Sequence, residues 1–349
     1  MLAISAIAFL PFSRYGYHLR REYRKAIKGG KTVEMLNREP VYIYTFAYSP
    51  DEVSLCRMEM RSLFGVESET NIIKTPIAIN PSRSPFIKER IEVLFEGDDL
   101  SEIVDQADQI ELGESTFKVL YVKINDLDPS VKIGYWERRN IERDIGWKVQ
   151  GIADVQNPDK LFGIVTLGGR WYLGNYIKSE SVWLHHLKKP REYSTALSTR
   201  VARAIVNIAV PNPEGIKVID PCCGIGTVLV EALSMGIDIV GRDINPLVTD
   251  GSRENIAYFG LQGDVTTGPI ADVTEKYDVA IIDMPYNLYT HATPEDQLSI
   301  LKHARSFAEK VIVVTIETMD DMIKEVGFEI TDRCVAKKGN FLRQIVVCV

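Results

Sequence analysis

The stretch Val218-Ile-Asp-Pro-Cys-Cys-Gly-Ile-Gly-Thr227 decides how the second half of this chain folds. An apolar run ends in an acidic residue and meets a Gly-x-Gly turn that opens the helical pattern TVLVEALSM. Gly224 and Gly226 let backbone amides approach a ligand closely where a strand gives way to a helix. Working outward, KVIDP, IDIVGRD, YDVAIIDMP, VIVVTI and QIVVCV are short, nearly continuous apolar runs, most of them separated by helical patterns such as DQLSILKHARSFAEK. Strands of this kind are buried on both faces, which predicts a doubly wound, mainly parallel α/β sheet.

Three further features fall in order at the ends of successive strands. Asp243, closing IVGRD, is a carboxylate that can accept hydrogen bonds from both hydroxyls of a ribose, and Gly263-Asp264 can meet an adenine amino group. The third is Asp283-Met-Pro-Tyr286, again at a carboxyl end, where ligands collect in open α/β sheets. A dehydrogenase competes for the first features, but it prefers GxGxxG, and Leu229 stands where the third glycine would be. The last motif points to amine chemistry. A carboxylate and a backbone carbonyl, from Met284 or Pro285, can accept the two N–H bonds of an exocyclic amine and aim its lone pair while Tyr286 stacks on the base. Positioning then carries most of the rate, and no strong base is needed.

The chain has 349 residues, 45% apolar and 26% charged, with 41 Lys and Arg against 48 Asp and Glu and a net charge of −7. That composition excludes collagen-like, mainly disordered and polytopic membrane chains and leaves room for two or three cores. The charge is unevenly distributed. Residues 132–200 hold 12 basic and 7 acidic side chains, a net of +5, whereas residues 201–300 hold 5 and 14, a net of −9. Five scattered cysteines, with no CxxC pair, argue against a disulfide framework and a zinc site and for a reducing, cytoplasmic setting. Cys222 and Cys223 read as packing residues rather than nucleophiles, and His185-His186 as interdomain surface rather than metal ligands. The N-terminal MLAISAIAFLPF is too short and lacks the flanks for a membrane span or a signal peptide.

Ahead of the doubly wound pattern, VYIYTFAY alternates as a strand, a helix follows from Asp51, and strand-rich stretches at 72–79, 90–95 and 116–123 are broken by a helical segment at 99–109. This βαββαβ-like alternation points to a small ferredoxin-type α+β unit. RRNIERDIGWKVQG fits a short helix feeding a strand, and Gly168-Gly169 marks a hairpin. TRVARAIVNIA reads as a helix with Ser198 as N-cap and Val201, Ala204, Ile205 and Ile208 on one stripe.

Together Asp220-Pro-Cys-Cys-Gly-Ile-Gly226, Asp243, Asp264 and Asp283-Met-Pro-Tyr286 resemble motifs I to IV of class I S-adenosylmethionine-dependent amino methyltransferases with a [D/N]PPY signature. Met284 stands where that family usually has Pro, Ile225 where Thr or Ser is common, and Asn287 where Gly often follows the Tyr. The segment Arg138 to Gly174 is similar to a THUMP domain, an RNA-binding module of tRNA-modifying enzymes. The segment Arg191–Ala209 resembles the tRNA guanine-10 N2-methyltransferase group. The resemblance implies a Rossmann-like class I methyltransferase domain behind an N-terminal α+β half, ferredoxin-like plus THUMP. It also implies transfer of a methyl group from S-adenosylmethionine to a guanine N2 in tRNA, with no metal and no membrane. Asp283, Met284, Pro285 and Tyr286 would be catalytic. Asp220, Cys222, Gly224, Gly226, Thr227, Asp243, Ile244, Asp264 and Val265 would hold the cofactor, and Lys188, Lys189 and Arg191 would contact RNA phosphates. The expected divisions are an extension outside the folded unit at 1–38, a ferredoxin-like domain at 39–125, a THUMP-like region at 126–188, a linker helix at 189–212 and the catalytic domain at 213–349. Adenine N6 in RNA or DNA, a protein glutamine, and a tRNA-binding protein with a vestigial fold remain the alternatives.

Overall fold

The computed structural model describes residues 39–127, 133–194, 196–285, 293–338 and 341–349, so the extension expected at 1–38 lies outside the described residues. Tyr42–Val349 hold together as one unit; of the preceding 41 residues only 39–41 are described, and they carry no regular structure.

The first half builds one seven-stranded sheet from β1 (Tyr42–Phe46), β2 (Ile72–Thr75), β3 (Ile87–Gly97), β4 (Glu111–Tyr121), β5 (Gln150–Ala153), β6 (Lys160–Leu167) and β7 (Arg170–Lys178). Helices α1 (Val53–Phe64), α2 (Leu100–Gln106) and α3 (Tyr135–Gly146) connect β1 to β2, β3 to β4 and β4 to β5. The βαββαβ order is therefore present along the chain. In space the order is β2-β1-β3-β7-β6-β4-β5, with the β6–β7 hairpin inserted between β3 and β4. Strands from 39–125 and from 126–188 thus share one sheet. The hairpin forms where expected: Gly168 and Gly169 have φ of 62° and 73°, and Leu167 pairs with Arg170 across them, the left-handed two-residue turn that matches strand twist. The strand expected over 72–79 stops at Thr75, because Pro76 has no N–H to give the ladder. Beyond it the Ile77 and Ile79 carbonyls accept the Tyr44 hydroxyl instead, at 2.9 and 3.2 Å.

The second sheet contains β8 (Lys217–Asp220), β9 (Asp238–Asp243), β10 (Val265–Thr267), β11 (Tyr277–Asp283), β12 (Ala308–Thr315), β13 (Ile330–Lys338) and β14 (Phe341–Cys348), in the order β10-β9-β8-β11-β12-β14-β13. The first five in that order run parallel, and β14 is antiparallel to both its neighbours. Helices α5 (Thr227–Ser234), α6 (Pro246–Tyr258), α7 (Pro294–Phe307) and α8 (Asp320–Glu325) supply the crossovers. This is the doubly wound α/β architecture expected from the apolar runs.

Between the sheets lies α4 (Thr199–Ala209), capped by the Ser198 hydroxyl, which accepts the Val201 N–H. Read as a linker with one apolar stripe, it is buried nearly all round, because α1 covers one side and α5 the other. One apolar core therefore runs from Tyr44, Met58 and Phe86 through Ile205 and Ile208 to Val228 and Ile281. Arg203 and Asn207 of this helix are satisfied by partners from both halves. The Arg203 guanidinium donates to Glu231 (2.8 Å), the Arg83 carbonyl (2.8 Å), the Ser82 carbonyl (3.0 Å) and Ser234 (3.1 Å). Asn207 donates to Glu59 (2.6 Å) and accepts from Arg83 (2.9 Å). Burial pushes the Glu59 carboxyl up to about 7, against the hydrogen bonds of Ser84 and Asn207. His186 departs from the surface position expected of it: it is buried, with Nδ1 2.7 Å from Glu231, while His185 is exposed. A buried carboxylate with one guanidinium partner still has acceptor positions to fill, and His186 fills one.

Candidate active site

Parallel pairing places the carboxyl ends of β8, β9, β10 and β11 along one edge of the second sheet. From β8 the chain winds outward through β9 to β10 and then crosses back to β11 on the far side of β8. In doubly wound sheets such a switch in strand order is where a crevice forms at the carboxyl edge. Asp220, Asp243 and Asp283 end the three strands that flank it. Burial, with Asp283 and Asp243 adding repulsion, holds the Asp220 carboxyl well above the usual carboxylate range.

The two glycines of the β8–α5 turn serve different ends. Both have positive φ, 53° at Gly224 and 76° at Gly226. A Cβ on Gly224 would stand in open space, so this glycine keeps the open side of the turn clear. A Cβ on Gly226 would lie 2.2 Å from the Ser252 hydroxyl of α6, so that glycine lets two helices approach. Asp243 ties the turn down: its carboxylate accepts the Gly224 N–H and the Asn245 N–H, each at 2.9 Å. It thereby fixes the β8–α5 and β9–α6 loops against each other. Ile244, next in the chain, is 71% exposed. Asp264 is exposed while its carbonyl accepts the Gly241 N–H, and Val265 is buried at the start of β10. The Cys222 N–H donates to Asp220 at 3.2 Å, and burial beside carboxylates raises both the Cys222 and Cys223 thiols, which keeps them protonated.

Thr227 opens α5 and is buried, its hydroxyl accepting the Lys189 ammonium at 2.6 Å. Burial lowers the Lys189 pKa. Arg191 forms a two-pronged pair with Glu254, at 2.6 and 2.9 Å, and its N–H donates to Asn255. Of the three basic residues considered for phosphate contact, two are thus engaged within the protein and Lys188 is exposed. Lys189 reaches the start of the helix that follows the glycine turn, a role the sequence does not signal, since Thr227 lies 38 positions away.

Asp283 faces the crevice end of β11 with one carboxylate oxygen buried and without a hydrogen-bond partner among the described residues. Burial pushes its carboxyl up to about 6, opposed by the positive charge of Arg343 on β14. A buried acceptor left unpaired is costly unless a ligand supplies the donor. Met284 sends its side chain into the core with Ala280, Ile282 and Leu301, and its N–H donates to the Val314 carbonyl at 2.9 Å. The Pro285 carbonyl accepts Gln297 Nε2 at 3.2 Å. Tyr286 lies outside the described residues. An open glycine turn, an acid at the end of the neighbouring strand and a carboxylate with one buried, unpartnered oxygen are groups that could hold a nucleoside-bearing ligand beside an N–H donor. Among the described residues no group of His, Cys, Asp and Glu assembles as a metal site.

Residues 187–310 match the family model UPF0020, described as an RMKL-like methyltransferase domain. This stretch of the chain is similar to the methyltransferase domains of that family. It contains α4 to α7 and every crevice residue from Asp220 to Pro285. The chain is similar to the tRNA (guanine(10)-N2)-dimethyltransferase of Methanothermobacter thermautotrophicus, 28% identical over 202 residues that cover 55% of this chain and 57% of that protein. It is also 28% identical to the protein of the same name from Pyrococcus abyssi, over 61% of this chain and 66% of the relative. The chain thus spans about six-tenths of the length of these curated relatives. Among solved structures, TrmN from Thermus thermophilus is 16% identical with a TM-score of 0.44, covering 88% of this chain and 99% of that one.

Proposed function

We propose that this protein transfers a methyl group from S-adenosylmethionine to the exocyclic N2 amine of a guanine in tRNA. The observation that carries the reading is Asp283, which has one buried, unpartnered carboxylate oxygen at the switch point of the sheet, in the segment that matches a methyltransferase domain. The names of the relatives and the basic excess over 132–200 support tRNA as the substrate.

The open space over Gly224 fits the cofactor. Asp220, Cys222, Gly224 and Thr227 would hold its amino-acid end, Gly226 shaping the turn, with Asp243 on the ribose and Ile244, Asp264 and Val265 around the adenine. When bound, S-adenosylmethionine supplies an electrophilic methyl on a sulfonium. The work of the chain is then to hold the amine. Asp283 accepts one N–H of the amino group, and its burial strengthens that bond by excluding water. The Pro285 carbonyl is already engaged by Gln297, which leaves the Met284 carbonyl as the second acceptor. Two acceptors in fixed positions turn the nitrogen lone pair out of the ring plane; the stacking role expected of Tyr286 belongs to a residue outside the described ones. The proton leaves once the nitrogen is cationic, and Asp283, as the acceptor of that N–H, would receive it. Met284 fits this role because its side chain is spent on packing while its carbonyl does the holding.

Residues 39–125 and 126–188, sharing one sheet, would together bind the RNA, with 189–212 as the linking segment and 213–349 as the catalytic domain. Among the described residues no helix is long and apolar enough to cross a membrane; the cysteine usage supports the cytoplasm. The test is transfer of labelled methyl to tRNA followed by mass spectrometry of the nucleosides. The parent should yield N2-methylated guanosine, and Asp283→Ala should lose it while calorimetry still detects S-adenosylmethionine binding. Full activity in Asp283→Ala, or methyl on adenine N6 or on protein, would overturn the reading.

A further inference from the structure

Helix α3 is divided between two tasks. Ile141 and Ile145 bury one face against the first sheet, in the cluster with Phe117 and Phe162. The opposite face carries Trp136, Arg139, Asn140, Arg143 and Trp147, all exposed, at the i, i+3, i+4, i+7, i+11 spacing of a single stripe. Eleven residues bring Trp147 to within about 20° of Trp136 around the axis and about 16 Å along it. Both tryptophans are 78% exposed, so neither contributes its ring to the core. The Arg143 guanidinium lies 5.1 Å from the Trp147 ring, and that of Arg139 lies 5.3 Å from the ring of the neighbouring Tyr135. Each arginine, itself half exposed, also has a carboxylate partner, Glu142 at 2.5 Å and Asp144 at 2.9 Å, and water screens such pairs enough for a competing polyanion to displace them.

We propose that this stripe binds unpaired nucleotides of the RNA substrate by stacking, at a place on the first sheet separate from the crevice of the second. The proposal rests on the RNA-substrate reading above and gives it a surface. Flat rings at both ends with guanidinium groups between them supply what single-stranded nucleic acid needs: π faces for bases and cations for the phosphates that join them. Trp and Arg also serve at protein interfaces, but guanidinium groups set between two rings, on the segment with the basic excess over 132–200, favour a polyanion with stacking bases as the occupant.

The test uses the full chain and two probes, a fluorescein-labelled single-stranded oligoribonucleotide and a blunt RNA duplex of the same length. The parent should bind the single strand more tightly than the duplex, with quenching of tryptophan fluorescence. Trp136→Ala/Trp147→Ala should weaken single-strand binding by about tenfold or more, the size of a lost base stack, and Trp136→Phe/Trp147→Phe should restore most of it. The Ala pair should also raise KM for an RNA methyl acceptor. Unchanged single-strand binding in the Ala pair overturns the proposal, as does a change of oligomeric state with RNA binding intact. The oligonucleotide titration involves no transfer, so it separates failure of the stripe from failure of the proposed chemistry.

Discussion

Replacing Asp283 by Asn should make the protein more stable and less active, in amounts that burial sets. Burial moves the Asp283 carboxyl from 3.8 to about 6. At about 1.4 kcal/mol per pH unit, that displacement means that ionised Asp283 costs the folded state about 3 kcal/mol. The unfolded chain releases this proton near 3.8 and the folded chain near 6, so the folded state holds more protons between those values. Stability of the parent therefore falls as pH rises through that window, and the cost is complete above pH 6. Asn carries no charge at any pH. Its buried amide hydrogens cost about 1 kcal/mol if unpaired, which leaves an expected gain of about 2 kcal/mol at pH 8. The gain should shrink by about 1.4 kcal/mol on going to pH 5, where the folded carboxyl is largely protonated. Urea denaturation of both proteins at the two pH values reads the difference, and methyl transfer should drop by about 100-fold or more. A variant no more stable than the parent at pH 8, or a gain that ignores pH, would refute the reasoning from burial.

Arg203→Met should destabilise by about 3–5 kcal/mol, because it leaves Glu231, fully buried, without its guanidinium and removes the donor to the Ser82 carbonyl. The double variant Arg203→Met/Glu231→Gln should cost less than the sum of the singles; additive urea midpoints would argue against direct coupling. Gly224→Ala should lower the melting temperature only through the strain of its positive φ and lose about tenfold in S-adenosylmethionine affinity, whereas Gly226→Ala should lower it further through its clash with Ser252, with Ser252→Gly recovering part of the loss. Equal melting temperatures for the two glycine variants would contradict the separate roles assigned to them. Asp243→Ala should weaken cofactor binding by about tenfold or more in calorimetry, because it removes the acceptor that joins the Gly224 and Asn245 loops.

The doubly wound sheet was legible because its signals are local. Continuous apolar runs, a Gly-x-Gly turn and acids at the ends of runs each lie within a few residues, and parallel pairing then brings Asp220, Asp243 and Asp283 to one edge. What could not be read depends on partners far along the chain. His186 looks like surface until Glu231 and Arg203 close around it, and Lys189 and Arg191 look like solvated charges until Thr227 and Glu254 meet them. The α4 stripe was visible, but its burial on the remaining sides depends on α1 and α5. In the first half the strand order escapes local reading, because insertion of the β6–β7 hairpin between β3 and β4 is a choice among pairings of similar alternating strands.

The amino-acid sequence by itself determined the elements, the glycine turn and the kinds of side chain at each strand end, since backbone conformation and hydrophobic periodicity act over a few residues. Only the tertiary structure decided what burial does to those side chains. It left one oxygen of Asp283 without a donor and raised its carboxyl, gave Gly224 open space and Gly226 a neighbour, and turned the linker into the core of the molecule. The electrostatic character of a carboxylate depends on the water excluded around it, and that exclusion is made by residues which the chain brings together from both halves.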